Sequence, residues 1–154
     1  MYTIVMKRCI LYAMLVFMGS SNALAKTCTV SSSGVAFGVY DPTSAASLNT
    51  IGSLTVDCNG SIYAELSLSV GNGAGANYIT GRKMTRIGGG TLVYNLYDNA
   101  SRTQVLGDGT NNSVTHIIYG LRSYTQSIWG RMPARQSNVL AGSYADTLVA
   151  TISY

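Results

Sequence analysis

Alternation of apolar and polar side chains with a period of two runs through residues 26–154, and it restricts the chain to strands. Ile62, Ala64, Leu66, Leu68 and Val70 point one way along an extended backbone, while Tyr63, Glu65, Ser67 and Ser69 point the other. Leu148, Ala150, Ile152 and Tyr154 alternate with Val149, Thr151 and Ser153 in the same manner, and Leu92, Tyr94 and Leu96 mark another strand. The spacing predicts further strands over residues 27–30, 35–40, 53–58, 114–119 and 124–132. Asn59-Gly60 and Asn72-Gly73 read as turns closing two runs, Gly88-Gly89-Gly90 precedes a third, Asp108-Gly109 lies in a polar loop, and Asp41-Pro42 ends an early run. Short strands at this spacing predict an all-β, antiparallel sandwich of immunoglobulin-like type. A closed barrel has the same periodicity. Helical periodicity is nearly absent, and no internal repeat or linker interrupts the pattern.

The first 25 residues have a different character. Lys7 and Arg8 precede an unbroken apolar run over residues 9–18, followed by small and polar residues and the triplet Ala23-Leu24-Ala25. This is the layout of a secretory signal peptide cleaved after Ala25, giving a leader over 1–25 and one exported domain over 26–154. The apolar run is about half of the ~20 residues that span a bilayer, so stable membrane insertion is not expected. Cys9 opens the run instead of following it, which does not fit a lipoprotein signal.

Export changes the cysteine count. Cys9 leaves with the leader, and Cys28 and Cys58 remain as an even pair in an oxidising compartment. Each shares a strand face with apolar neighbours, Val30 for Cys28 and Leu54 and Val56 for Cys58, so both sulfurs point inward and one disulfide is predicted. Free thiols are the alternative. A metal pair is disfavoured, because two cysteines and a distant His116 make a poor ligand set. Closing such a loop stabilises a fold by about 3–4 kcal/mol on the chain-entropy argument.

Charge and chemistry exclude more than they suggest. Losing Lys7 and Arg8 brings the formal charge of +4 down to +2, too little to argue for nucleic acid. Arg82, Lys83 and Arg86 read as a solvated loop face. His116 lies in a strand-like run and reads as a packing or surface histidine. The glycine-rich stretch over residues 71–75 follows a strand and opens no helix, so it lacks the context of a phosphate loop. Asp98, Asp108 and Asn111 do not follow calcium-loop spacing. No catalytic residue, metal or cofactor is predicted. Eleven tyrosines and one tryptophan, Trp129, offer contact surfaces in loops, whereas Tyr94, Tyr144 and Tyr154 sit on or beside apolar strand faces.

Several short pieces occur in a recognisable order. They include Cys28-Thr29-Val30, Phe37-Gly38-Val39-Tyr40-Asp41-Pro42, and Gly52 leading to Leu54-Thr55-Val56-Asp57-Cys58. The strand over 66–71 ends in glycine and is followed by Arg82-Lys83-Met84, Leu92-Val93-Tyr94-Asn95-Leu96-Tyr97, Gly107-Asp108-Gly109 and Tyr119-Gly120. Trp129-Gly130-Arg131-Met132-Pro133-Ala134, Gln136 and Ala141-Gly142-Ser143-Tyr144-Ala145-Asp146-Thr147 complete the series. The layout resembles the spore coat protein U domain, the fold of archaic, or sigma-class, chaperone–usher pilus subunits.

That resemblance implies an incomplete immunoglobulin-like antiparallel β-sandwich that lacks its last strand. It also implies the partners that complete the fold in trans: a periplasmic chaperone, then a neighbouring pilus subunit, at an outer-membrane usher, on the way to the cell surface. Leu148, Ala150, Ile152 and Tyr154, on the run that closes the chain, are expected to line the acceptor groove. Five donor side chains at ~2 kcal/mol each give ~10 kcal/mol, against a domain stability of about 5–15 kcal/mol. The isolated subunit is therefore expected to fold poorly. Elongating subunits of this type carry an alternating donor segment before the first cysteine. After cleavage at Ala25 only Lys26 and Thr27 precede Cys28, about 7 Å of strand where five residues cover roughly 17 Å. An adhesive subunit at the distal tip is expected on that ground. A free-standing secreted coat or carbohydrate-binding domain is the alternative.

Overall fold

The computed structural model describes residues 26–154, so the leader, its cleavage site and Cys9 lie outside the described residues. Within them the regular structure is all strand. The elements are β1 (Cys28–Gly34), β2 (Leu48–Leu68), β3 (Arg82–Arg86), β4 (Thr91–Tyr97), β5 (Val105–Leu106), β6 (Ser113–Val114), β7 (His116–Met132), β8 (Tyr144–Ala145) and β9 (Ala150–Ser153). Hydrogen-bonded order runs β1-β2-β7-β4-β3-β8, with β9 on β2 and the short β5–β6 pair beside β4. All ladders are antiparallel except β5–β6. The path ends at β1 and β8, so the sheet does not close into a barrel.

The β2–β7 ribbon is the frame of the fold. Residues 48–57 of β2 pair with 123–132 of β7, and residues 63–66 pair with 116–119. Between these stretches the register shifts, and Gly120 adopts φ +64°, a left-handed conformation that glycine enters without a Cβ penalty. The irregularity bends both strands together, and local irregularity of this kind increases twist and curvature. The inner face then curls around one core. Leu54 and Val56 from one half of β2 meet Ala64, Leu66 and Leu68 from the other, together with Leu92, Leu96, Ile118 and Ile128.

Four local readings of the sequence change here. Asn59-Gly60 is not a turn, because it lies inside β2, where the extra residues are absorbed as a bulge. Residues 114–119 and 124–132 are not two separate strands. One strand, β7, runs from His116 through Gly120 to Met132. Residues 35–40 form no strand, although Phe37 is buried there and meets the Tyr94 ring edge-on at 5.7 Å. Arg82 is not on a solvated face. It is fully buried, because period two places it on the same side of β3 as Met84, toward the core.

Candidate functional site

A cleft opens on the edge of β2 that β7 leaves free. β1 occupies the first half of this edge, pairing residues 28–34 with 53–58, and β9 occupies the second half, pairing residues 150–153 with 65–68. Each makes its ladder with β2 alone, so among the described residues the second edge of each strand is unpaired. Between these edges lies a cavity of about 390 Å³, walled by Val30, Ser31 and Ser32 on the β1 side and Leu148 and Ala150 on the β9 side. Its floor is the core itself, with Leu54, Leu68, Leu96 and Ile128. A second cavity of about 730 Å³ shares Val35 and Met84 with the first and continues it past Phe37, Leu92 and Met132, between residues 35–42 and 139–144. The two cavities together make one apolar groove along an open sheet edge. Such a groove can receive an extended segment through main-chain hydrogen bonds and alternate side chains.

The predicted groove residues divide. Leu148, Ala150 and Ile152 are half-buried against the core, and Leu148 and Ala150 line the cavity. Tyr154 is 57% exposed and follows the last ladder residue, Ser153, so it does not share the packing of the other three. On the opposite wall, Cys28 and Cys58 form a disulfide at the rung where they face each other across β1 and β2. The bond fixes the start of a polar strand whose Ser32 and Ser33 otherwise bond backbone and side chains around Ser53. Both cysteines pack against the core.

One charged residue lines the groove, and the sequence reading did not single it out. Asp146 Oδ1 accepts from Asn72 N at 2.9 Å and from Thr147 N at 2.8 Å, and Oδ2 accepts from the Tyr94 hydroxyl at 2.7 Å. Its carboxylate packs on Gly71, where an added Cβ would lie 2.2 Å from Oδ2. Gly71 also has φ +92°, so this position needs glycine on two counts. Burial first, and then the bond to Asp146, raises the Tyr94 hydroxyl above the ordinary phenol range.

Away from the groove, polar groups are closed into networks. Buried Arg82 donates to Ser69 O at 3.1 and 3.0 Å, to Leu106 O at 2.6 Å and to Asn95 Oδ1 at 2.8 Å, and its guanidinium lies 5.1 Å from the Tyr78 ring centre. Desolvation lowers its pKa, and the neighbouring Tyr94, Tyr78, Asp146 and Asp108 oppose that shift. His116 is a half-buried bracket. Its Nδ1 is 2.9 Å from Asp98 Oδ1 and its Nε2 is 2.8 Å from the Tyr124 hydroxyl, on whose ring it stacks at 5.2 Å. Tyr124 donates to Gln126 Oε1, and Gln126 Nε2 donates back to Asp98. The network ties the end of β4 to β7 and lines neither of the two cavities described above. The described residues contain no group of three or more His, Cys, Asp or Glu side chains able to hold a metal ion, and no helix long and apolar enough to cross a membrane.

A family model for the Spore Coat Protein U domain matches residues 15–151. Among solved structures, the chain is similar to one in the crystal structure of the CsuC-CsuE chaperone-tip adhesion subunit pre-assembly complex from archaic chaperone-usher Csu pili of Acinetobacter baumannii. The TM-score is 0.60 at 19% identity, over 84% of this chain and 40% of that one. The chain thus spans well under half the length of that structure's chain. A second similarity, to the E. coli Hda pilus minor tip subunit HdaB, has a TM-score of 0.40 at 11% identity, over 82% of this chain and 79% of that one. No curated protein matches the chain.

Proposed function

The chain belongs to the spore coat protein U domain family, and from that premise we propose that it is a structural subunit of a chaperone–usher pilus whose sandwich is completed in trans. The observation that carries this reading is the groove. Its floor is made of core leucines and isoleucine, and its two walls, β1 and β9, each keep an unpaired edge. A donor strand laid there would satisfy both edges and cover the core in one step. A periplasmic chaperone would lend that strand first and a neighbouring subunit would replace it at the outer-membrane usher, bringing the protein to the cell surface. The proposed role is structural and adhesive, with no catalysis.

Coexpression with the cognate periplasmic chaperone tests the reading. Soluble protein should depend on the chaperone, and Ile152→Asp, which puts a charge beside the groove, should abolish capture. A wild-type domain that is a soluble, cooperatively folding monomer without a partner would overturn the proposal and favour a free-standing coat or surface-binding domain.

The finer proposal is a tip position. Cleavage after Ala25 leaves Lys26-Thr27 ahead of Cys28, which is too short to fill a neighbour's groove and carries no large apolar side chain. Intact-mass analysis of exported protein tests the cleavage. Immunogold labelling of pili tests the position, since label along the shaft would refute it. A donor segment fused ahead of Lys26 should let the protein enter the shaft.

A further inference from the structure

Asp146 is out of place in a groove made to receive apolar side chains. It is the one charged residue lining either cavity. A carboxylate offers roughly four acceptor positions, and protein donors fill three of them, from Asn72 N, Thr147 N and Tyr94 Oη. None of the three donors carries a full charge, and among the described residues no cation lies within ion-pair distance of Asp146. Buried Arg82 feels the Asp146 charge at longer range but directs its hydrogen bonds to two carbonyls and Asn95. A strand laid over the groove displaces the water that solvates Asp146, and a covered carboxylate needs a compensating donor.

We propose that Asp146 reads a basic side chain on the incoming strand, a lysine or arginine at one inward-facing position among apolar ones, and thereby sets that strand's register. This rests on the reading of the groove as a donor-strand acceptor and adds the chemistry of the donor. The aliphatic stem of a lysine lies along the apolar floor while its ammonium reaches the carboxylate. A slip of one residue turns the basic side chain to the outer face. A slip of two keeps the face but sets an apolar side chain over Asp146 and pushes the cation onto Leu54 and Leu68. An otherwise uniform row of apolar pockets would tolerate such slips, and one anionic site among them does not.

The test uses the full exported chain captured by its chaperone. Synthetic ten-residue peptides of alternating valine and threonine carry lysine, leucine or glutamate at each inward position in turn, and displacement of the chaperone is measured. Lysine at one position should displace at least tenfold faster than glutamate there. The preference should weaken as salt is raised and should vanish in Asp146→Asn. If Asp146→Asn is not captured by the chaperone, the wild-type position scan and its salt dependence decide alone. Displacement that ignores the position and charge of the substituted residue overturns the role of Asp146 and leaves the acceptor groove standing. A failure of every peptide to displace the chaperone overturns both.

Discussion

The β2–β7 ribbon and the β1–β9 cleft share an inner face and differ in their edges. Leu54 and Leu68 belong to both. Leu54 lies in the ladder with β7 and Leu68 in the ladder with β9, and both pack in the core and form the floor of the cavity. On the ribbon side every polar feature that could cause trouble is closed: Arg82 makes four hydrogen bonds, the Asp98–His116–Tyr124–Gln126 network returns on itself, and no buried side-chain polar atom among the described residues lacks a partner. On the cleft side two strands stand with one edge each unmatched over an apolar floor. The incompleteness is therefore local. It is a missing row of backbone partners beside an ordinary core, which is why a single added strand could complete it.

The largest expected effect comes from filling the cleft. A ten-residue alternating donor strand fused to the chain through a flexible glycine–serine linker should produce a soluble monomer. Five inserted side chains at ~2 kcal/mol each give ~10 kcal/mol, read as a higher urea midpoint. A fusion no more stable than the unfused chain would break the contrast between the two regions. Next in size is Arg82→Ala, which leaves Asn95 Oδ1 and two carbonyls without their buried donor and should cost about 3–5 kcal/mol. Because Arg82 works on the closed side, that loss should be the same with and without the fused donor. Removing the disulfide with Cys28→Ala and Cys58→Ala should cost about 3–4 kcal/mol. Here the donor should matter, since β1 is a wall of the cleft, and a bound strand should recover part of the loss.

These regions were not equally legible in the sequence. Period two identified the inner faces of β4, of the second half of β2 and of β9, because a residue between a core and solvent carries its side in its polarity. The cysteine pair was legible for the same reason. Asn59-Gly60 is a strong local turn signal, but β7 pairs with β2 on both sides of it, so the chain continues through the dipeptide as a bulged, bent strand and does not reverse. Residues 35–40 look like a strand by composition, yet among the described residues they join no ladder; Phe37 is buried and Val35 and Tyr40 pack partly against the core without alternating regularly. Arg82 was misread because local charge suggests solvent, although its alternation with Met84 placed it inside. Asp146 carries no local signal. It becomes notable only once Gly71, Asn72 and Tyr94, all distant in sequence, are brought to it.

Two matched turns give the finest probe of the contrast. Asp41 Oδ1 accepts from Thr43 N and Oγ1 at 2.8 and 2.7 Å, and Asp108 Oδ1 accepts from Thr110 N and Oγ1 at 2.9 and 2.6 Å. The first turn lies between Tyr40 and Pro42, on the wall of the larger cavity, and the second lies on the closed side beyond β5. In both, the bonds from the threonine hydroxyl, and then from its backbone N–H, hold the carboxyl below its ordinary value of 3.8. A depressed folded-state value adds stability that is present above pH 3.8 and lost as pH falls through the lower folded value. Asp41→Ala and Asp108→Ala should each lower Tm slightly, on the order of 1–3 °C, at neutral pH, with the difference from wild type shrinking below pH 3.8. Their effects should part in the chaperone-displacement assay, because only the Asp41 turn shapes the groove. Asp41→Ala should slow donor uptake about two- to threefold, and Asp108→Ala should leave it unchanged. Equal slowing by both variants would mean that donor uptake senses global stability and that the cleft is not the independent region described here.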